Sequence, residues 1–194
     1  MIRFQEEYKD KVNLEVIPGG MVPKNVAQPI AKMRGFLLGA IPSLEKRTGI
    51  KIGQPYYDNI LNKEGVILNS ELPSQAYLGA LDQYKGREVT LAKEIQDLLY
   101  QEGKDISNVE AFSSIKGLET DALNGPILEI KMNKAFLRAK ELGVTGYPAV
   151  LCEYQGTYYR ISSGYIDYDN LAKLTNKFLK QIDENKLGNR KGTE

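Results

Sequence analysis

The sequence predicts an α/β protein in which a long helical block separates one strand from a later β-hairpin. Three patterns indicate this class. Residues 12–17 alternate apolar and polar side chains and are rich in β-branched residues, as is typical of a strand. Residues 54–142 carry apolar side chains mainly at helical spacing. Two β-prone runs flank Gln155-Gly156, which predicts a tight turn between paired strands.

Helices are predicted on both sides of the first strand. Residues 2–11 resemble the end of a helix, and Pro18-Gly19-Gly20 ends the strand that follows. Pro29 and Pro42 are expected to start or break the next helix, and Gly49 occupies a C-cap position. The helical spacing of three and four residues is carried by Val26, Ile30, Met33, Leu37, Ile41 and Leu44.

The C-terminal part is predicted as a hairpin followed by a helix. The strands are expected at 149–154 and 157–162, and Asp167 is a plausible N-cap for the last helix. The polar tail after Asn185 is expected to fray. The predicted buried positions of this helix are Leu171, Leu174, Phe178 and Ile182. We expect one domain over 1–194, with a helical insertion at about 50–142.

Composition excludes several classes of function. The 194-residue chain has a formal charge of +1, which predicts neither a nucleic-acid nor an anionic-membrane partner. No stretch approaches the roughly 20 apolar residues of a membrane-spanning helix. The charged N-terminus does not resemble a signal peptide, so a cytoplasmic location is expected.

The chain has no histidine and one cysteine, Cys152. These absences exclude histidine-based nucleophile activation, histidine metal ligation, an intrachain disulfide and a two-cysteine redox cycle. A lone cysteine in a strand is usually a small buried hydrophobe, and a redox role for Cys152 is the less favoured alternative. We expect no catalytic residue, no metal ligand and no cofactor.

The segment 143–151, Gly-Val-Thr-Gly-Tyr-Pro-Ala-Val-Leu, contains the candidate binding site. A helix ends before Gly143, and Pro148 begins an apolar strand, where its missing N–H is tolerated. Alternatively, Pro148 only shapes the turn between the helix and the strand.

The pair Gly19-Gly20 also has two interpretations. It is a loop that needs a positive φ, which we favour, or a site where backbone N–H groups bind an anion.

Several segments together resemble the DsbA-like family of the thioredoxin superfamily, specifically its cytosolic FrnE-type branch. The resemblance covers nearly the whole chain, and its segments follow in the family's order. They are 14–21 (LEVIPGGM), Thr48-Gly49, 69–76 (NSELPSQA), 100–107 (YQEGKDIS), the loop 143–148 and Gly164-Tyr165.

This resemblance implies a thioredoxin-like fold with a large helical insertion and a cis Tyr147–Pro148 peptide bond. It also implies thiol–disulfide oxidoreduction or isomerisation on protein or small-molecule substrates, which bind at Gly146, Tyr147 and Pro148. Family members begin with a strand and a Cys-x-x-C motif at the start of the first helix. Neither is present here, so the chain as given is expected to be redox-inactive.

Three alternatives stay open. The chain is a truncated form of an active oxidoreductase, which we favour, or a redox-dead module that binds peptides at the cis-proline loop, or a relative of the glutathione-dependent hydroxychromene-carboxylate isomerases. In the family, the absent strand lies between 12–17 and 149–154. Its loss predicts an open slot in the sheet through which copies of the chain could associate.

Overall fold

The computed structural model describes the backbone of residues 1–190 and the side chains of residues 1–184. Seven α-helices and one β-hairpin, joined by short 3-10 segments, make up this part of the chain. The helices are α1 (Ile2–Tyr8), α2 (Arg34–Thr48), α3 (Gln54–Tyr56, continued by a π-helical turn to Leu61), α4 (Glu71–Ala80), α5 (Glu88–Tyr100), α6 (Pro126–Glu141) and α7 (Tyr168–Arg190). The strands are β1 (Ala149–Tyr154) and β2 (Thr157–Ser163).

The larger hydrophobic core lies within the helical block. In α5, Leu91, Ile95 and Leu98 are spaced by three and four residues, and all three are buried in this core. Phe112 and Leu61 are completely buried beside them. Its buried members lie between residues 30 and 128, so this core includes Ile30 and Ile41, which precede the predicted insertion at about 50–142.

The hairpin has the predicted position and turn. Gln155 and Gly156 both have positive φ, 51° and 78°, as a two-residue type I′ turn requires. Tyr154 and Thr157 flank that turn, and a bulge interrupts the antiparallel register between Val150 and Leu151. Within residues 1–190, β1 and β2 form the only sheet. The one other strand-like pairing is an isolated bridge between Pro29 and Ile67.

A second, smaller core joins the hairpin to α1 and α7. Phe4, Tyr8 and Leu171 are buried at its centre. Asp167 caps α7 as predicted, since its carboxylate accepts from the backbone N–H of Asn170 at 2.9 Å. The prediction for Leu174 was wrong: it is 39% exposed, and Thr175, one residue further, is buried instead.

The expected fraying after Asn185 was also wrong for the described backbone. α7 continues to Arg190, and the rest of the tail lies outside the described residues. A polar composition does not by itself end a helix.

The strand predicted at 12–17 is absent, which corrects the sequence interpretation. The segment lacks regular secondary structure, and residues 13–18 make no backbone hydrogen bond to β1 or to any other described segment. Its side chains still alternate: Val12 and Leu14 pack on the smaller core, whereas Asn13 and Glu15 are exposed. The pattern therefore predicted the buried side correctly. A strand also needs a paired neighbour, which no pattern within the segment specifies.

Pro42 does not break its helix as expected, because α2 runs through it from Arg34 to Thr48. Proline removes the hydrogen bond to the carbonyl of Leu38, four residues earlier. Leu38 and Pro42 are both exposed, so water can replace the missing donor. Gly49 ends the helix at φ 72°, and its N–H donates to the Glu45 carbonyl, as predicted.

One polar contact connects α1 to α5 of the helical block, and another connects α6 to the extended segment 12–17. The Gln5 side chain of α1 accepts from the Val89 N–H of α5 at 3.1 Å. Arg138 of α6 pairs with Glu15 at 2.5 Å.

Over the described residues, no helix is both long and apolar enough to cross a membrane.

Candidate functional site

The loop from Gly143 to Pro148 begins at a well-formed helix end. Gly143 has φ 70°, and its N–H donates to the Lys140 carbonyl at 2.9 Å. The Val144 N–H donates to the Ala139 carbonyl at 3.1 Å, which completes a glycine C-cap. The Arg160 guanidinium of β2 donates to the Gly143 carbonyl at 2.5 Å. The start of the loop is therefore fixed to both α6 and the hairpin.

The peptide bond between Tyr147 and Pro148 is cis, and both residues are exposed. The Pro148 carbonyl accepts from the Gly164 N–H at 2.7 Å, which ties the loop to the end of β2. This contact brings together two of the segments that carried the sequence resemblance, the proline loop and Gly164-Tyr165.

The glycine pair after the extended segment lies against the loop. The Tyr147 hydroxyl donates to the Gly19 carbonyl. A Cβ on Gly19 would lie 1.9 Å from the Tyr147 ring, and a Cβ on Gly20 would lie 2.7 Å from the Phe136 ring. Gly20 also has φ 66°, which supports the turn interpretation of this pair. Sequence reasoning did not place Gly19 at the site, although the adjacent glycines signalled a constrained backbone.

The exposed part of the loop has free backbone groups. Neither the N–H nor the C=O of Tyr147 forms a backbone hydrogen bond within the described chain. An ideal Cβ on Gly146 meets nothing within 4 Å, so the space beside it is open. Unpaired backbone groups at the start of a strand are suited to an extended peptide, which pairs through its own backbone.

The unpaired edge of β1 continues this surface. Tyr154 and Thr157 flank a two-residue turn and so form a hydrogen-bonded pair. Cys152 then directs its backbone groups towards β2, and Leu151 and Glu153 direct theirs to the opposite edge. No described strand occupies that edge.

Cys152 lies away from the loop. It follows Pro148 by four positions, which corresponds to about 13 Å along an extended chain. The side chain is half-buried opposite Tyr159, whose ring is 5.1 Å from Phe178 of α7. Burial raises the pKa of the Cys152 thiol above its ordinary value, which lowers the thiolate fraction at neutral pH. This environment favours the small-hydrophobe interpretation of Cys152.

Among the described side chains, no group of three or more potential ligands is placed to hold a metal ion. The ionic contacts near the loop are on its α6 side, where Arg138 pairs with Glu15. The loop itself presents unpaired backbone groups, an exposed tyrosine ring and a proline.

Similar solved structures share this architecture. A proposed protein disulfide isomerase from Nitrosomonas europaea has a TM-score of 0.76 and 21% sequence identity, over 92% of this chain and 87% of that chain. The cytosolic disulfide reductase DsbM from Pseudomonas aeruginosa has a TM-score of 0.65 and 20% identity, over 94% and 85%. A second DsbM structure, with GSH, gives 0.65 and 21% over the same shares. No family model and no curated protein sequence matches the chain.

The chain has a thioredoxin-like fold with a large helical insertion. At 20–21% identity the likeness concerns the fold and not the activity. It confirms the fold class predicted from the sequence, with helices inserted between the extended segment and the hairpin. It does not test the assignment of Gly146, Tyr147 and Pro148 as substrate-binding residues, which stays a prediction.

Proposed function

We propose that this chain binds thiol- or disulfide-containing substrates at Gly146, Tyr147 and Pro148 and that residues 1–194 do not turn them over. The observation that supports binding is the anchored loop with an unpaired Tyr147 backbone. An extended substrate would pair with Tyr147 and continue along the free edge of β1. Tyr147 would contact the substrate through its backbone, while its hydroxyl holds the ring on Gly19.

The chemistry of the single cysteine supports the absence of turnover. Thiol–disulfide exchange needs an attacking thiolate, and catalytic cycling needs a second thiol to release the mixed disulfide. Cys152 is the only cysteine of the chain, is half-buried and has a raised pKa. Its half-buried side chain lies opposite Tyr159 of β2, about 13 Å along the strand from Pro148.

A dithiol-dependent insulin reduction assay tests this part of the proposal. The wild-type chain and Cys152→Ser should give the same rate as dithiothreitol without protein. Turnover above the Cys152→Ser variant would show that Cys152 is active and would overturn the proposed lack of redox activity.

Glutathione is the small-molecule candidate for this site. The DsbM structure with GSH is the comparison that favours it. The γ-linked Glu-Cys-Gly backbone of glutathione is extended, so it can pair with the Tyr147 backbone as a peptide does. That DsbM is described as cytosolic agrees with the cytoplasmic location that we propose for this chain.

Association of two copies through the free edge of β1 remains a prediction of the sequence. Exposed strand edges favour such pairing. Pairing about a two-fold axis at Cys152 would place Cys152 opposite its own copy, so this mode predicts a disulfide-linked dimer after treatment with diamide.

A further inference from the structure

Tyr165 lies between the end of α2 and the turn that holds the proline loop. Its hydroxyl donates to the backbone carbonyl of Arg47 at 2.9 Å, across 118 positions of sequence. The Arg47 guanidinium lies 5.2 Å from the centre of the Tyr165 ring, which is within the range of a cation–π contact. Arg47 is in the last turn of α2, where backbone carbonyls have no partner within the helix. The tyrosine therefore supplies a donor that the helix end lacks.

The residue before Tyr165 holds the loop 143–148. The Gly164 N–H donates to the Pro148 carbonyl at 2.7 Å, and Gly164 has φ 85°, which favours glycine. The orientation of this N–H depends on both neighbours of Gly164. Ser163 belongs to β2, and Tyr165 is fixed on the end of α2. Tyr165 therefore connects α2 to the carbonyl at the end of the loop.

The other supports of this loop come from different parts of the protein. The Gly143 carbonyl accepts from Arg160 of β2 at 2.5 Å. The Tyr147 hydroxyl donates to the Gly19 carbonyl. Tyr165 adds a support from α2, so both ends of the loop and its exposed tyrosine are held from outside the loop.

We propose that Tyr165 is a positioning residue for substrate binding. Its contact with Arg47 holds the turn at Gly164, and this turn fixes the Pro148 carbonyl. The unpaired Tyr147 backbone therefore stays oriented towards a substrate. A preorganised loop loses less conformational freedom on binding, which raises affinity. The inference rests on the proposed function, because the orientation of the loop matters only if substrate binds there.

The contact should matter more for binding than for stability. Tyr165 is 44% exposed, and exposed hydrogen bonds and cation–π contacts add little to the stability of a fold. Tyr159 of β2 is the matched control, since it is also 44% exposed and its ring contacts Phe178 of α7 rather than α2. Tyr165→Ala should therefore lower the urea midpoint of unfolding no more than Tyr159→Ala does.

Hydrogen exchange of the Gly164 amide tests the positioning without any ligand. Its rate should rise about tenfold in Tyr165→Ala, since the N–H is no longer held on the Pro148 carbonyl. The rate should be unchanged in Tyr159→Ala. Tyr165→Phe, which retains the ring beside the Arg47 guanidinium but loses the hydroxyl, should give an intermediate rate. An unchanged rate in Tyr165→Ala would overturn the proposal.

A glutathione titration followed by NMR measures the effect on affinity. The Kd should be about three to ten times higher for Tyr165→Ala than for the wild type and for Tyr159→Ala. Equal affinities, or an affinity loss that accompanies a lower urea midpoint than that of Tyr159→Ala, would contradict a positioning role. If glutathione binds neither the wild type nor Tyr159→Ala, the proposed function fails and this inference fails with it, whereas failure of the positioning role alone leaves binding by the wild type intact.

Discussion

The Tyr147 hydroxyl donates to the carbonyl of Gly19, 128 residues earlier in the chain. This hydrogen bond connects the cis-proline loop to the glycine turn that follows the extended segment. The aromatic ring lies where the side chain of any other residue at position 19 would be. The loop that we propose as the binding site is therefore supported from a part of the sequence that carries no functional side chain.

Gly19→Ala should disrupt this support. The new methyl group would lie 1.9 Å from the Tyr147 ring, so the ring must move away and the hydroxyl loses the Gly19 carbonyl. We expect a loss of about 1–3 kcal/mol in the free energy of unfolding, measured by urea denaturation. The matched control is Gly39→Ala in α2, where nothing lies within 4 Å and helix propensity predicts a gain of about 0.5–1 kcal/mol. A Gly19→Ala protein as stable as the control would contradict the role of the glycine.

Gln5→Ala should weaken the contact between α1 and the helical block. Gln5 is 6% exposed, and its carbonyl oxygen accepts from the Val89 N–H in the first turn of α5. Its removal leaves a buried donor unpaired, at a cost of about 1–3 kcal/mol. The exposed residue Gln28 provides the control, since Gln28→Ala should change the free energy of unfolding by less than about 0.5 kcal/mol. Equal effects of the two substitutions would show that the Gln5 contact adds nothing.

The stability of the protein should fall as the pH rises from about 10 to about 12. Burial raises the pKa of Tyr56 to about 12, compared with about 10 in the unfolded chain. As the pH rises, the Tyr56 hydroxyl therefore loses its proton in the unfolded state before it does so in the folded state. The contribution of Tyr56 to the free energy of unfolding is complete below about pH 10 and is lost as the pH approaches about 12. In Tyr56→Phe the decrease should be smaller, whereas Tyr159→Phe, at an exposed tyrosine, serves as the control. Identical pH profiles for Tyr56→Phe and wild type would contradict this assignment.

Cys152 should react slowly with iodoacetamide in the native protein. Burial restricts access to the thiol and raises its pKa, so little thiolate is present at pH 7.5. We expect a rate about tenfold or more below that of the urea-unfolded chain at the same pH, and a native rate that increases as the pH is raised. The two rates are measured by mass spectrometry of the alkylated protein. Equal native and unfolded rates would reopen a chemical role for Cys152.

The sequence predicted the parts of the fold that depend on local patterns. The turn at Gln155-Gly156, the cap at Asp167 and the glycine at the end of α2 follow from backbone requirements within a few residues. The prediction of which side chains of residues 12–17 are buried was correct for the same reason. Its strand assignment failed because pairing depends on a neighbour distant in the chain, and the buried position of Thr175 depends on how α7 packs.

The candidate site was predictable only in part. Pro148 and the residues before it were identified from the order of helix, glycine turn and strand, together with the family resemblance. The contact between Tyr147 and Gly19 was not, since no spacing relates residues 128 apart. The glycine pair did signal a constrained turn, but its aromatic neighbours Tyr147 and Phe136 became visible only in three dimensions.

Binding at the cis-proline loop is the central claim, and an NMR titration with reduced glutathione tests it most directly. Amide chemical shifts of uniformly ¹⁵N-labelled protein would be followed up to about 10 mM ligand, a concentration that detects even weak binding. We predict saturable changes centred on Gly146, Tyr147 and Ala149, unchanged in Cys152→Ser and reduced in Gly19→Ala. No change at these amides, or changes centred on Cys152 instead, would contradict the account.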